Sequence, residues 1–512
     1  MSVMFGRPSA RKTLAVGALV LAVSAACSRG DAAPVPATEK PPQAQVLPVP
    51  APSPTPTPPP IPPNPALDTV SDLINKAIAA NELPGAVVLV GHGGQVVFRN
   101  AFGQRKLAGE PGLDGSPAPA EPMTEDTIFD LASLTKPLAT APAVMQLYEQ
   151  GKVALDDPVQ TYLPDFNPTN DPVRAAVTVR MLLTHTSGET GDVELKDPWG
   201  LTRIDRAEGF RRALSTPLES TPGAGFRYSD INFILLGAIV EKLTGETEDD
   251  YVQQHIFAPL GLKETRYLPA DKACGPHTMR GAALAWAPEQ GAAVECPPGS
   301  WSTNLLPRIA PTSRDEESRG DPGKNPDIDR LLRGTVNDTT ARRMGGVAGH
   351  AGVFSTAQDV GGYAQALLDR LAGRPSTYPL TQETLQLMTT PQQPGHSDGQ
   401  IEAANEAERD ARAKRQTTSD PLLAPHYPAL RGQNLRGLGW DIDTGQSMPR
   451  GALFPVGSFG HTGFTGTSIW LDPASDTYVV LLTNSIHTRG SPPVSRLRGD
   501  VATAAAQALG LR

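Results

Sequence analysis

The stretch FDLASLTK, residues 129–136, places Ser133 three positions before Lys136 and leads into the apolar segment 138–148. The apolar segment predicts a helix. Residues three apart on a helix share a face, so both side chains are expected to point into one cleft. A serine hydroxyl is a weak nucleophile unless a proton acceptor lies within hydrogen-bond reach, and a lysine amine can be that acceptor. For this role the pKa of Lys136 would have to be lowered by burial or by nearby positive charge.

The predicted start of this helix has a second chemical property. Backbone N–H groups there are unpaired and the helix dipole is positive, which favours an oxyanion beside Ser133. The tetrapeptide alone is weak support for a site, because a polar cap followed by a lysine is ordinary at helix starts.

A second segment, FRYSDINFILLG at residues 226–237, places Tyr228 and Asp230 just before an apolar helical run. Phenol and carboxylate groups both handle protons. The alternative is that Tyr228 is a half-buried core residue and Asp230 a helix cap.

A third segment, FGHTGFTGTSIWLDP at residues 459–473, predicts a strand that opens with glycine and a turn, with residues 478–482 as the return strand. Its small residues would let a substrate backbone approach. Alternatively, Gly463 and Gly466 mark a bulge and His461 has no chemical role.

In this order the three segments resemble the β-lactamase-related serine hydrolases, which include class C β-lactamases, D-alanyl-D-alanine peptidases and related esterases. The resemblance extends to LDDPV (155–159), MLLTHTSG (181–188) and GVAGHAGVFST (346–356), and covers the chain from about Asp68 onward. It implies an α/β (α+β) fold, with an antiparallel sheet flanked by helices and an inserted helical lobe. The active site would lie between these two parts.

The resemblance also implies roles for individual residues. Ser133 would be the acylated nucleophile, and Lys136 with Tyr228 would activate it and later protonate the leaving group. The backbone N–H groups of Ser133 and Phe464 would form the oxyanion hole. The expected substrate-binding residues are Asp230, His461, Thr462, Gly463 and Phe464.

Two positions depart from the family pattern. Asp230 stands where the family usually has Asn, and His461 stands where the lactamases and peptidases usually have Lys. A lysine offers a fixed charge to a substrate carboxylate, whereas histidine is mostly neutral at pH 7. We therefore expect an esterase or peptidase rather than a potent penicillin hydrolase. The alternative is a non-catalytic peptidoglycan-binding or sensing protein with the same fold.

A narrower resemblance is to bacterial hydrolases linked with cell-wall sugar recycling. It is carried by RIAPT (308–312) and RGTVND (333–338), which lead into the loop 346–356. It implies a muropeptide-type substrate. The glycines of that loop do not form a nucleotide fingerprint, and His350 is expected to shape the loop.

The N-terminal region predicts export. Residues 1–26 contain three cations followed by an apolar run too short to span a bilayer, which predicts a signal peptide. Cys27 stands at a site that resembles a lipoprotein cleavage site, although ordinary cleavage and an idle thiol are alternatives. Residues 27–66 form a proline-rich tether, with 15 prolines among the 32 residues 34–65, and predict extended polyproline II. The expected location is the periplasmic face of a bacterial membrane, through a lipid anchor.

The remaining predictions concern residues 67–512, expected to form the hydrolase domain. The helical lobe is placed at roughly 137–340, and a mobile insertion at roughly 392–433 because that stretch is polar and lacks periodicity. Cys274 and Cys296 either pair in an oxidising compartment or remain free thiols. The net charge of −9 and the scattered histidines predict no nucleic-acid partner, no metal site and no cofactor.

Overall fold

The computed structural model describes residues 61–62, 64–287, 295–415 and 427–511. The predicted signal peptide, Cys27 and nearly all of the proline-rich tether lie outside the described residues. In the part of the chain that is described, no helix combines the length and the apolar character that crossing a bilayer requires.

Fifteen strands are present in the described chain. In chain order they are β1 (Gly85–His92), β2 (Gln95–Lys106), β3 (Glu121–Pro122), β4 (Phe129–Asp130), β5 (Arg266–Tyr267), β6 (Ala273–Cys274), β7 (His277–Arg280), β8 (Ala283–Trp286), β9 (Trp301–Ser302), β10 (Val353–Ser355), β11 (Leu435–Arg436), β12 (Asp441–Asp443), β13 (Phe459–Thr462), β14 (Ser468–Asp472) and β15 (Thr477–Thr483).

Thirteen α-helices are present in the same described ranges. They are α1 (Asp68–Ala79), α2 (Ala141–Glu149), α3 (Val159–Tyr162), α4 (Pro172–Ala175), α5 (Val179–Leu183), α6 (Arg206–Ser215), α7 (Asp230–Thr244), α8 (Glu248–Val252), α9 (Thr339–Arg343), α10 (Ala357–Leu371), α11 (Gln382–Thr389), α12 (Gln400–Arg415) and α13 (Ser495–Ala508).

The main sheet has eight strands in the order β11-β12-β13-β14-β15-β1-β2-β3, and its neighbouring strands are antiparallel. Strand β1 pairs with β15, so the beginning and the end of the domain meet at the centre of the sheet, with Val88 opposite Leu481. The predicted antiparallel sheet flanked by helices is confirmed.

Strand β1 is apolar because both faces of the sheet are covered. Successive side chains of a strand point to opposite faces. Val87 and Leu89 accordingly pack into the larger hydrophobic core, whereas Val88 and Val90 pack into a smaller one. The smaller core also contains residues of α1 and α13, including Val70 and Val501.

The region predicted as a helical lobe contains helices α2 to α9. Helix α7 is buried around most of its circumference, which explains its continuous run of apolar residues. From β5 to α9 the described chain is built of short strands, turns and 3₁₀ helices. Cys274 and Cys296 form a disulfide within that stretch.

The strand predicted from residue 459 is two strands. β13 ends at Thr462, a turn follows, and β14 pairs with both β13 and β15. Residues 478–482, predicted as the return strand, lie in β15 and pair with β14, the second of these two strands.

Part of the stretch predicted as a mobile insertion, residues 392–433, is a regular helix, since Gln400–Arg415 forms α12. The helix is tied to the chain before β13, because the Asn405 side chain exchanges two hydrogen bonds with the backbone of Val456, at 2.8 and 2.9 Å. Buried Arg450 pairs with Glu408 of α12 and with Asp443 of β12, and all three side chains are at most 4% exposed. The sequence gives no sign of this network, since it depends on tertiary contacts.

We expect Arg450→Met to lower the free energy of unfolding by about 3–5 kcal/mol, because Glu408 and Asp443 would stay buried without their cation. The control is Arg409→Met on α12, the helix that carries Glu408. Arg409 forms an exposed ion pair with Glu402. That change is expected to alter stability by about 0.5 kcal/mol or less. Urea unfolding of both variants measures the difference, and equal losses would contradict a stabilising role for the buried network.

Candidate active site

Ser133 lies in a tight turn rather than at the start of one regular helix. Residues Ala132–Leu134 form a 3₁₀ turn, Lys136–Thr140 form a π-helical turn, and α2 begins only at Ala141. The single helix predicted from Ser133 was therefore wrong in detail. Residues three apart still stand on one side of such a tight turn, and Lys136 Nζ lies 2.9 Å from Ser133 Oγ.

The residue before the serine has a strained backbone. Ala132 has φ of +48°, in the left-handed region, which costs a non-glycine residue roughly 1–2 kcal/mol. The buried carboxylate of Asp130 accepts hydrogen bonds from the N–H groups of Ala132 at 2.9 Å and Asn337 at 2.7 Å. Burial raises the pKa of Asp130 to about 6. These bonds hold the turn that directs the Ser133 hydroxyl.

Lys136 is fully buried and its amine is surrounded by oxygen atoms. Besides Ser133 Oγ, Nζ contacts the backbone oxygen of His350 at 3.1 Å and Asp230 Oδ1 at 2.6 Å. Burial alone would lower the pKa of Lys136, but the negative charge of Asp230 and the Tyr228 phenol outweigh it, so the pKa is raised. The lowered pKa that a lone lysine base would require is therefore not found.

Tyr228 forms the next side of the site. Its ring stacks on His185 with 4.4 Å between centroids, and Lys136 Nζ lies 5.0 Å from the ring centre. Burial raises the pKa of Tyr228, and hydrogen bonding to Lys136 and Ser133 opposes this only in part. Tyr228 is therefore a neutral phenol near pH 7, placed to donate or relay a proton.

Hydrogen bonds join the turn between β13 and β14 to the serine turn, the segment 130–134 that carries Ser133. The hydroxyl of Thr465 donates to the backbone oxygen of Asp130 at 2.8 Å, and the hydroxyl of Thr467 donates to that of Leu131 at 3.0 Å. Gly463 lies so close to Leu131 and Thr467 that a β-carbon would overlap both. Ser133 and Phe464 consequently line the same cavity, of about 310 Å³.

His461 lies beneath this turn and is 2% exposed. Its Nδ1 is 2.8 Å from the backbone oxygen of Thr462, and its Nε2 has no hydrogen-bond partner among the described residues. Burial, with the nearby cations Arg436 and Lys136, holds the pKa of His461 well below its usual range. His461 is therefore neutral at pH 7 and supplies no fixed positive charge.

Two carboxylates that sequence reasoning missed join Asp230 on the wall of the cavity. Asp192 and Asp338 line it, and His350 Nε2 lies 2.8 Å from Asp338 Oδ1. Burial would raise the pKa of Asp338, but His350 lowers it to about 2. The pKa of Asp192 is raised, because the cavity wall partly desolvates its carboxylate and because Asp338 and Asp230 repel the charge, although the residue stays exposed to solvent. The nucleophile therefore faces an acidic cavity.

Carboxylate oxygens of Asp192, Asp230 and Asp338 lie within 4.8 Å of one another, close enough in principle to share a cation. Two of these groups already have a cationic partner from the protein, since Asp230 pairs with Lys136 and Asp338 pairs with His350. We therefore assign no metal to this cluster.

The sequence contained only a partial signal for the missed residues. RGTVND, residues 333–338, includes Asn337 and Asp338, but only the motif and not the roles of these residues could be recognised. Asp192 stands in a stretch with no motif. Its position on the cavity wall follows from the path of the loop that precedes α6.

A serine and a tyrosine that line one cavity, with a buried lysine bonded to the serine and a strand turn held against it, define a serine hydrolase. The beta-lactamase family matches residues 70–503, and the chain belongs to this family.

Two curated relatives cover most of the chain. An N-acetylmuramyl-L-alanine amidase of Bacillus subtilis (strain 168) is 31% identical over 432 residues, which are 82% of this chain and 81% of that protein. A protein of Escherichia coli (strain K12) with the provisional name D-alanyl-D-alanine carboxypeptidase is 29% identical over 422 residues, 80% of each. Among solved structures, a class C beta-lactamase shares the fold, with a TM-score of 0.54, 19% identity, and coverage of 86% of this chain and 97% of that one.

Proposed function

We propose that this protein is an extracytoplasmic hydrolase that forms an acyl-enzyme on Ser133 and cleaves an ester or amide bond in fragments of the cell wall. The observation that carries the proposal is the 2.9 Å contact between Lys136 Nζ and Ser133 Oγ at a cavity that Tyr228 also lines. A serine hydroxyl held against a buried proton-handling group is suited to nucleophilic catalysis.

In the proposed reaction Ser133 Oγ attacks the carbonyl carbon of the substrate and gives up its proton to the group formed by Lys136 and Tyr228. The negative charge that develops on the carbonyl oxygen is stabilised by the backbone N–H groups of Ser133 and Phe464. Tyr228 passes a proton to the leaving amine or alcohol, and water then releases the acyl group from Ser133. Thr465 and Thr467 contribute by holding the turn that carries Phe464 against the serine turn.

The charge of the cavity supports a substrate without a carboxylate next to the cleaved bond. Asp192, Asp230 and Asp338 line the cavity, and within the described residues no lysine or arginine does. His461, where lactamases and peptidases usually have a lysine, is buried and neutral. Asp230 and Asp338 are already paired with Lys136 and His350, so among the described residues that line the cavity no lysine or arginine is left to hold a substrate carboxylate, and we expect weak penicillin hydrolysis at most.

The dimensions of the site support a substrate longer than a simple acyl group. Phe464, with 77% of its surface exposed, stands between the cavity at Ser133 and a second cavity of about 460 Å³. Asn337 and Thr339 also line both cavities. A muropeptide, which carries a sugar and a peptide on either side of an amide bond, is of suitable length. The name of the Bacillus subtilis relative favours the same substrate class.

The proposed location follows from the N-terminal sequence. We propose that residues 1–26 direct export, that Cys27 is lipidated, and that the proline-rich tether holds the hydrolase domain away from the periplasmic face of the membrane. A tether of that kind would let an anchored enzyme reach an extended polymer.

The test is to capture the acyl-enzyme. Purified protein is incubated with a fluorophosphonate and with a penicillin, and peptide mass spectrometry locates the adduct, which we expect on Ser133. A panel of a short-chain ester, an N-acetylmuramyl peptide, a D-alanyl-D-alanine peptide and a cephalosporin then ranks the substrates. We expect the muramyl amide or the ester to be cleaved fastest. No adduct on Ser133 from either reagent would favour the non-catalytic binding protein instead.

A further inference from the structure

The amine of Lys136 is surrounded by the oxygen atoms of Ser133, Tyr228, Asp230 and the backbone of His350, and these determine how its protons are arranged. The backbone oxygen of His350 accepts a hydrogen bond from Lys136 Nζ at 3.1 Å, and the carboxylate of Asp230, 2.6 Å from Nζ, forms an ion pair with it. Ser133 Oγ, like the hydroxyl of Tyr228, either accepts a bond from an ammonium or donates one to an amine. The protonation state of Lys136 therefore decides whether it can receive the serine proton.

The charges nearby favour the ammonium. Asp230 Oδ1 lies 2.6 Å from Nζ, and the lysine side chain is fully buried, so water reaches the pair only from the side of Asp230, which is 22% exposed. The other titratable or charged groups around Lys136 are Tyr228, His350, Asp338, Asp192, His185, His461 and Arg436.

Most of these groups do not act as the counter-ion of Lys136. His350 is paired with Asp338, and the guanidinium of Arg436 lies 3.5 Å from Asp441. Burial lowers the pKa of both His185 and His461, which leaves them uncharged. Asp230 is therefore the direct counter-ion of Lys136.

We propose that Lys136 and Asp230 accept the Ser133 proton as a couple, with Asp230 as the final acceptor, an inference that rests on the proposed acyl-enzyme function. The proton of Ser133 moves to Lys136 Nζ while a proton already on Nζ moves to Asp230 Oδ1. Ser133 Oγ forms its bond to the carbonyl carbon, and the π electrons move onto the carbonyl oxygen.

The reverse transfer completes the step. As the tetrahedral intermediate collapses, the bond to the leaving nitrogen or oxygen breaks and its electron pair goes to the leaving group. That group takes one proton from the couple through the hydroxyl of Tyr228, which restores the ion pair. Lys136 remains cationic throughout and stabilises the negative charge that develops near Ser133. Asp230 acts through Lys136, as a positioning residue and a proton store rather than as a substrate contact.

This arrangement predicts a particular dependence on pH. With Asp230 present, the acceptor is a carboxylate, and acylation should persist into acid solution. In Asp230→Asn the buried lysine has lost its counter-ion and must give up its own proton before it can act as a base. In this variant only the neutral amine can act as a base, and it becomes abundant only as the pH rises. The acid limb, the part of the rate profile where the rate falls as the pH is lowered, should therefore move to higher pH.

The experiment measures the second-order rate of Ser133 acylation by a fluorophosphonate between pH 4 and pH 10, for wild type, Asp230→Asn, Asp230→Glu and Asp192→Asn. We expect the acid limb of Asp230→Asn to shift upward by at least about one pH unit, a loss of about 10-fold at pH 6. Asp230→Glu should bring the limb back toward its wild-type position. Asp192→Asn, which removes a carboxylate that repels Asp230, should leave the limb in place or move it slightly to lower pH, the direction opposite to Asp230→Asn.

The outcomes separate the two proposals. If Ser133 were acylated in every variant and the acid limb were the same in all of them, the proton couple would be overturned. The proposed function would still stand. An equal shift in Asp192→Asn would also overturn it, since general charge in the cavity would then explain the effect. If Ser133 of the wild type were not acylated at any pH, both the proposed function and the proton couple would be overturned. Thermal unfolding of each variant shows whether its domain is folded, so that acylation rates are compared only between folded proteins.

Discussion

Replacing Ser133 with alanine is expected to reduce kcat/KM for the preferred ester or amide by about 10⁴-fold or more. The reaction would lose its nucleophile, and removing the nucleophile of a serine hydrolase costs about as much as removing its whole catalytic group. The measurement is steady-state hydrolysis with the best substrate of the panel, together with mass spectrometry for the adduct.

The fold should survive this change, because the Ser133 side chain contacts the polar groups of the site rather than the hydrophobic core. Unchanged thermal unfolding of Ser133→Ala would show that the loss is chemical. Hydrolysis that continues at the wild-type rate in a folded variant would contradict the assignment of Ser133 and point to a nucleophile elsewhere.

Replacing Gly463 with alanine is expected to reduce kcat by roughly 10²-fold to 10³-fold. The new β-carbon would overlap the backbone oxygen of Leu131 and the hydroxyl of Thr467, and so would push the turn away from the serine. The N–H group of Phe464 would then miss the developing oxyanion. A displacement of about 1 Å at such a site costs on the order of 10²-fold.

The matched control is Gly445→Ala. Gly445 has ordinary backbone angles, and no atom lies within 4 Å of the place that a β-carbon would take, so alanine should be tolerated there. We expect wild-type kinetics for this variant. If Gly463→Ala and Gly445→Ala had equal kcat values, the turn would not position a group that the reaction needs.

Much of the fold could be predicted because its signals are local. The apolar pattern of α1, the glycine turn between β1 and β2, and the apolar run of α7 each follow from neighbouring residues. The segment around Ser133 was harder. Its 3₁₀ and π-helical turns, with a left-handed alanine before the serine, depend on hydrogen bonds to Asp130 and on packing against α7 and the loop at His350. Propensities do not include such long-range terms.

The site was predicted to the extent that its residues belong to motifs. Ser133, Lys136 and Tyr228 meet, as their spacing and order indicated. Asp230 was expected to bind substrate; it lines the cavity, and its ion pair with Lys136 was not foreseen. Asp192 and Asp338 were missed, and so was the bond from Lys136 to the backbone of His350, since a backbone oxygen has no signature in a sequence.

The sequence by itself determined which chemical groups are available, along with the class of fold that carries them, because side-chain chemistry and hydrophobic periodicity are written residue by residue. The tertiary structure alone decided the charge state of the site. The pKa of a buried amine depends on which carboxylates lie within a few ångströms and how much water is excluded, and those distances exist only once α7, the His350 loop and the serine turn have packed together.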